Sequence, residues 1–397
     1  MSGRAFLQIP GPTNVPERVL RAMDRPVIDH RGPEFGELVR GLLPDVATVF
    51  GATTGKPILY PSSGTGAWEA ALVNTLAPGD RVLAFDIGHF SVGFAQAARN
   101  LGFQVDEVPL RWGQGVSADI VEERLKSDRG TPPFKAVLVV HNETSTGVAS
   151  DIGTIRQAID RAGHDALLIV DTVSSLGSID FRFDDWRVDV ALTGSQKGLM
   201  LPPGMAFLCV GPRALDAGER GGSPRNFFDW RPILKDNAAG FFPYTPATLL
   251  LFGLRAALDI LFEEGLDNVF ERHRRLAEAA RAAVRAWDLK ILCEDPQRYS
   301  NSLTAVVMPD RFDSDDVVRR AQERFNLALG VGLTRIKGRV FRIGHLGALN
   351  ELELLATLAG VEMTLAELGV PIELGSGVAA AQHTFVSAPA LTAPVPA

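Results

Sequence analysis

The feature that most constrains this chain is an alternation. Short apolar, β-rich runs at 58–60, 81–85, 103–108, 135–140, 166–170 and 188–192 read as buried strands. Between them, the 3.6-residue apolar period predicts helices over 67–76, 91–101, 118–127 and 152–163. Strands separated by helices of this length make a mostly parallel sheet with helices on both faces, so the fold class is α/β. In such sheets ligands bind beyond the carboxyl ends of the strands. The residues that close each strand are therefore the first place to look for chemistry.

The run Val188–Leu192 is followed by Thr193-Gly194-Ser195-Gln196 and then Lys197. Gly198, Pro202-Pro203 and Gly204 end the loop, and Met205–Val210 reads as a returning strand. Taken alone, Lys197 suits a surface loop as well as a reactive site. Upstream, Ala166–Val170 ends in Asp171, also at the close of a strand. An aspartate and a lysine so placed suit pyridoxal phosphate. The amine condenses with the aldehyde, and the carboxylate keeps the pyridine nitrogen protonated. Burial near a cationic ring lowers the lysine pKa, as that chemistry requires. Ser62-Ser63-Gly64-Thr65-Gly66 runs into the helix at 67–76. Alone, an ordinary Ser/Thr N-cap is the commoner explanation. Beside the lysine and the aspartate it reads as an anion cradle, because free N–H groups and the helix dipole favour a phosphate. It is not the lysine-containing loop of nucleotide triphosphatases.

Four separated motifs in order, SSGTGAWEAAL, VDTVSS, GSQKG and FRIGHLG, resemble those of class V aminotransferases of fold type I. Within them the chain is most similar to the serine–glyoxylate and alanine–glyoxylate group, from about Pro10 to about Gly377. The resemblance implies a large pyridoxal phosphate domain at 21–275, preceded by an active-site segment at 1–20 and followed by a small α+β domain at 276–377. It makes Lys197 and Asp171 catalytic. Ser63, Gly64, Thr65, Phe90, Thr144, Gln196, Tyr244 and Thr245 join those two as cofactor contacts, Phe90 by stacking on the ring. Gly11, Asn14 and Arg342 contact substrate, Arg342 through two parallel hydrogen bonds to a carboxylate. It implies a homodimer, in which the loop ending Tyr244-Thr245-Pro246 crosses to the partner's cofactor phosphate. Phe242 stands where some relatives carry a tyrosine ligand. The reaction implied is transfer of the amino group of L-serine to glyoxylate, giving hydroxypyruvate and glycine. Aspartate and alanine are alternative donors, and a lyase such as a cysteine desulfurase is the alternative outside the transaminases. The roles of His30, His89, Glu143 and His345 stay open.

Composition narrows the partners. The 397 residues carry a formal charge of −7, which gives no reason to expect nucleic acid or an anionic membrane. No metal-ligand cluster is read. Two cysteines, Cys209 and Cys293, make no disulfide framework and suit a reducing cytoplasm. No secretory signal is read at the start, and no apolar run approaches the ~20 residues of a membrane span. Residues 217–247, broken by Gly and Pro and rich in aromatics, read as a long functional loop. Helices are predicted over 249–264 and 266–287, then over 315–325 and 350–368 beside strands 305–308 and 340–343. Residues 378–397, rich in Ala, Pro and Val, read as a poorly ordered tail.

Overall fold

The computed structural model describes residues 5–388. In chain order its strands are β1 (Phe6–Gln8), β2 (Lys56–Tyr60), β3 (Arg81–Asp86), β4 (Gln104–Pro109) and β5 (Phe134–Val140). A short pair follows, β6 (Asn142–Glu143) and β7 (Val148–Ala149), then β8 (Leu167–Asp171), β9 (Val190–Gly194) and β10 (Ala206–Val210). The last four are β11 (Lys290–Ile291), β12 (Leu303–Val307), β13 (Leu327–Val331) and β14 (Val340–Gly344).

The large sheet has the order β2-β10-β9-β8-β5-β3-β4. Only β10 runs against its neighbours. The reason lies in the connections. Helices Gly64–Thr75, His89–Asn100, Ala118–Lys126 and Ile152–Arg161 follow β2, β3, β4 and β7, and crossovers of this kind return the chain parallel. The link from β9 to β10 is a helix-free loop carrying Lys197, so the chain simply turns back. Strands β8, β9 and β10 are buried at every residue, which is why they read as unbroken apolar runs. The predicted elements of this half recur within about three residues of their expected ends, as boundary reading from sequence allows.

The second sheet has the order β1-β13-β14-β12-β11, with its own buried cluster around Trp287, Phe341 and Leu358. Helices Leu266–Ala286, Ser314–Phe325 and Glu351–Glu367 complete this α+β part. Its edge strand β1 comes from the far end of the chain. Phe6–Gln8 pairs in parallel with Leu327–Leu329, an arrangement that three residues could not announce in the sequence. Pro10 to Asn14 then leads from this sheet to the end of β9, where Thr13 N donates to Gln196 O at 3.2 Å.

Two expectations need correction. Residues from 378 were read as a poorly ordered tail, but Ser376–Ser387 is a helix. Its start is held by the Glu362 carboxylate, which accepts from Gly375, Gly377 and Val378 N–H groups. Ala381 packs into the small core. Residues 389–397 lie outside the described residues. The stretch 217–247 is not loop throughout. Helix Pro212–Arg220 enters it, and Trp230–Asn237 forms a second helix capped by Asp229. Trp230 is fully buried and anchors that turn.

Candidate active site

The carboxyl ends of β5, β8 and β9 converge on a cavity of about 250 Å³. Asp171 closes β8 and Lys197 follows β9, and both line it. The helix Gly64–Thr75 begins there. Ser63 is its N-cap, its side chain accepting from Gly66 N at 3.4 Å, and Ser63, Gly64 and Thr65 all face the cavity. Phe90 and Val173 give apolar walls.

Lys197 is buried under the N-terminal segment. Its Nζ donates to the Pro10 carbonyl. Gly11, at φ +104°, crosses directly above: a Cβ there would lie 2.5 Å from Lys197 Cδ, so only glycine fits. Pro10 also abuts the small sheet, since a Cβ on Gly330 would meet Pro10 Cδ at 2.8 Å and Arg342 Cβ at 3.0 Å. Burial lowers the Lys197 pKa to about 8; the Arg342 charge adds to this and Asp171 offsets it.

Asp171 shows the opposite shift. Burial raises its carboxyl to about 6, against a backbone bond from Val173 N at 2.7 Å and an indole bond from Trp68 Nε1 at 2.6 Å. These two bonds and the Lys197 charge offset its desolvation only in part, and a cationic partner in the cavity would offset the rest. Two further lining groups lack partners. Asn142 spends its Nδ2 on Ser174 O and Oγ, leaving Oδ1 unbonded, and Gln196 Oε1 is also buried and unbonded. A buried amine, a buried carboxylate, unpartnered acceptors and a helix N-terminus around one cavity fit the functional groups of pyridoxal phosphate.

Of the residues expected from sequence, Gly11, Ser63, Gly64, Thr65, Phe90 and Thr144 line the cavity, together with Asp171, Gln196 and Lys197. Arg342 stands behind Thr144, donating from Nη1 to Thr144 O and from Nε to Val331 O, each at 2.9 Å. Asn14 does not reach the cavity; its Nδ2 donates to Leu7 O at 3.4 Å. Tyr244 stacks on Phe227 at 5.0 Å and donates to Leu59 O, while Thr245 is exposed, so neither lines this protomer's cavity. Glu143 gains a definite place. Its carboxylate accepts from Phe90, Ser91 and Ser145 N–H groups, which caps the helix His89–Asn100 and sets Phe90 at the wall. Gly88 makes room for it: a Cβ would sit 2.3 Å from Glu143 Cγ. His345 is fully buried between Thr304 Oγ1 and Asn301 O. Sequence reasoning missed Trp68, Asn142 and Val173. For Trp68 a signal existed, because it lies four residues after Gly64 and so on the same helix face.

Among the described residues no cluster suits a metal ion, and no helix is long and apolar enough to cross a membrane. Comparison with known proteins agrees with the geometry. The family model described as Aminotransferase class-V matches residues 5–337. A serine–glyoxylate aminotransferase of Arabidopsis thaliana is 51% identical over 380 residues, covering 96% of this chain and 94% of its own. An L-aspartate–glyoxylate aminotransferase of Paracoccus denitrificans is 49% identical, covering 97% of each. The crystal structure of a ureidoglycine–glyoxylate aminotransferase from Bacillus subtilis superposes with a TM-score of 0.89 at 28% identity, over 98% of this chain and 99% of that one.

Proposed function

The chain belongs to the class V aminotransferases, and we propose that it transfers the amino group of L-serine to glyoxylate, with pyridoxal phosphate as cofactor. The observation that carries the reading is the meeting of Lys197 and Asp171, each at the end of its strand, in one cavity. The choice of serine is supported by the identity to serine–glyoxylate enzymes over nearly the whole chain.

When bound, the cofactor supplies an electron-poor ring that takes up the electron pair released at the donor's Cα. Lys197 would hold the cofactor through its amine, and its neutral Nζ would take the proton from the donor's Cα. Its lowered pKa leaves a large neutral fraction near pH 8. Asp171 holds a proton on the ring nitrogen by pairing with it. Backbone N–H groups at Gly64 and Thr65, with the Ser63 and Thr65 hydroxyls, bind the phosphate. Phe90 stacks on the ring, and Gln196 and Thr144 complete its polar contacts. Arg342 binds the substrate carboxylate with the donors it does not spend on Val331 and Thr144. Gly11, crossing above Lys197, brings the N-terminal segment over the substrate.

The functional unit is a homodimer in which Tyr244 and Thr245 reach the partner's phosphate; the exposure of Thr245 and Phe227 supports this. Residues 21–275 form the cofactor domain and 276–377 the small one. Two buried free cysteines suit a cytoplasmic enzyme, and neither lines the cavity, as a desulfurase nucleophile would. The test is the half-reaction. Serine, alanine and aspartate are each added to the cofactor-loaded protein, and loss of its visible absorbance is followed before glyoxylate is added to restore it. Fast loss with serine and recovery with glyoxylate is expected. Loss with aspartate alone would change the donor, and loss with none would overturn the transaminase reading.

A further inference from the structure

The helix Gly64–Thr75 touches the cavity twice. Its first turn presents Gly64 and Thr65, and one turn later Trp68 lines the cavity beside Asp171. Trp68 is 7% exposed and its ring stacks on Phe94, with centroids 5.4 Å apart and planes 16° from parallel. Its Nε1 lies 2.6 Å from Asp171 Oδ2. Among the described residues it is the one side chain that donates to this carboxylate; the other donor is the backbone N–H of Val173, on Oδ1.

An indole N–H donates and never accepts. It needs a lone pair on Oδ2, so it favours the ionised carboxylate and opposes a proton on that oxygen. It also fixes the carboxylate plane, because each oxygen has one donor from a different element. We propose that Trp68 is a positioning residue for the cofactor's ring nitrogen: through its indole N–H it keeps Asp171 ionised and turned toward a protonated pyridine. One rigid helix then fixes both ends of the cofactor, the phosphate at its N-terminus and the ring nitrogen through Trp68. This inference rests on the pyridoxal phosphate reading of the cavity. The charged groups acting on Asp171 besides the indole are Glu143, which opposes its ionisation, and Lys197, which favours it.

The test compares two ligands on cofactor-free protein, pyridoxal phosphate and its analogue with carbon in place of the ring nitrogen. Trp68→Phe keeps the stack on Phe94 and removes the N–H. At pH 8 the variant is expected to bind pyridoxal phosphate about tenfold more weakly, as for a lost hydrogen bond to a charged group. Its affinity for the carbon analogue should be unchanged. Equal weakening for both ligands would make Trp68 a packing residue and overturn the inference. An unaltered protein that does not prefer pyridoxal phosphate to the analogue would instead overturn the cofactor reading itself. A second measurement needs no change at Trp68. The chain has five tryptophans. In the nitrogen-labelled, cofactor-free protein one indole N–H resonance is expected to move as pH crosses about 6, where Asp171 titrates, and to stand still in Asp171→Asn. Five indole resonances that all ignore pH between about 5 and 8 would overturn it.

Discussion

Trp287 donates its indole N–H to Glu362 at 2.8 Å, and Trp68 donates its own to Asp171 at 2.6 Å. Both carboxylates are almost fully buried. Around Glu362 every approach is filled. Three backbone N–H groups, from Gly375, Gly377 and Val378, complete its shell. A Cβ on Gly377 would strike Trp287 Nε1 at 2.3 Å, so nothing more fits there. Among the described residues Asp171 accepts from two groups, and it borders a cavity in which Asn142 and Gln196 keep unbonded oxygens. An indole paired with a buried carboxylate thus serves two ends. Where hydrogen bonds saturate the carboxylate, it ties three helices together around the second sheet's core. Where they fall short, acceptors are left facing the cavity, and their chemistry suits a ligand that donates hydrogen bonds and carries positive charge.

The comparison breaks most visibly at Asp171. Asp171→Asn is expected to lower turnover about 10²-fold or more, because the ring nitrogen loses its counter-charge. The same change should stabilise the cofactor-free protein at pH 8. The folded pKa is raised from the ordinary carboxylate range to about 6 by burial. The folded state therefore binds more protons than the unfolded chain between about pH 4 and 6, and stability falls as pH rises through that window. Removing the charge should restore about 3 kcal/mol at pH 8 and nothing at pH 4, read by urea unfolding at both. Equal gains at the two pH values would show that the charge is not the cause.

A smaller effect lies at the neighbouring amine. Capture of the cofactor by the cofactor-free protein requires neutral Lys197, whose pKa burial lowers to about 8. The second-order rate should rise about tenfold per pH unit below 8 and level off above it. A rate still climbing at about pH 10 would mean an ordinary lysine. The smallest effect on function belongs to the saturated site. Glu362→Gln places donors against donors and should cost about 1–3 kcal/mol of stability in urea. Cofactor affinity and turnover should not change, and a loss of either would mean that the core around Glu362 reports to the cavity.

Much of the cavity was legible because its parts sit at strand ends, and strand ends follow from apolar periodicity. Asp171, Lys197 and the run Ser63–Thr65 were found that way. Trp68 was not, because its partner is 103 residues away and the helix pattern explains a tryptophan without it. Asn142 needed the bond to Ser174 to show which of its atoms is left over. The edge strand Phe6–Gln8 and the helix Ser376–Ser387 failed for a related reason. The first is too short to carry a period. The second has an Ala-rich sequence that suits a tail until Glu362, buried in the preceding helix, seats its first turn.

The central claim is that Lys197 carries the cofactor in the cavity that Asp171 faces. It is tested most directly by reducing the loaded protein with borohydride, digesting it with trypsin and mapping the added mass. The account predicts one label, on Lys197, within a peptide that begins at Val188 and ends at Arg213 because the modified lysine resists cleavage. A label on any other lysine, or an active protein that takes none, would contradict it.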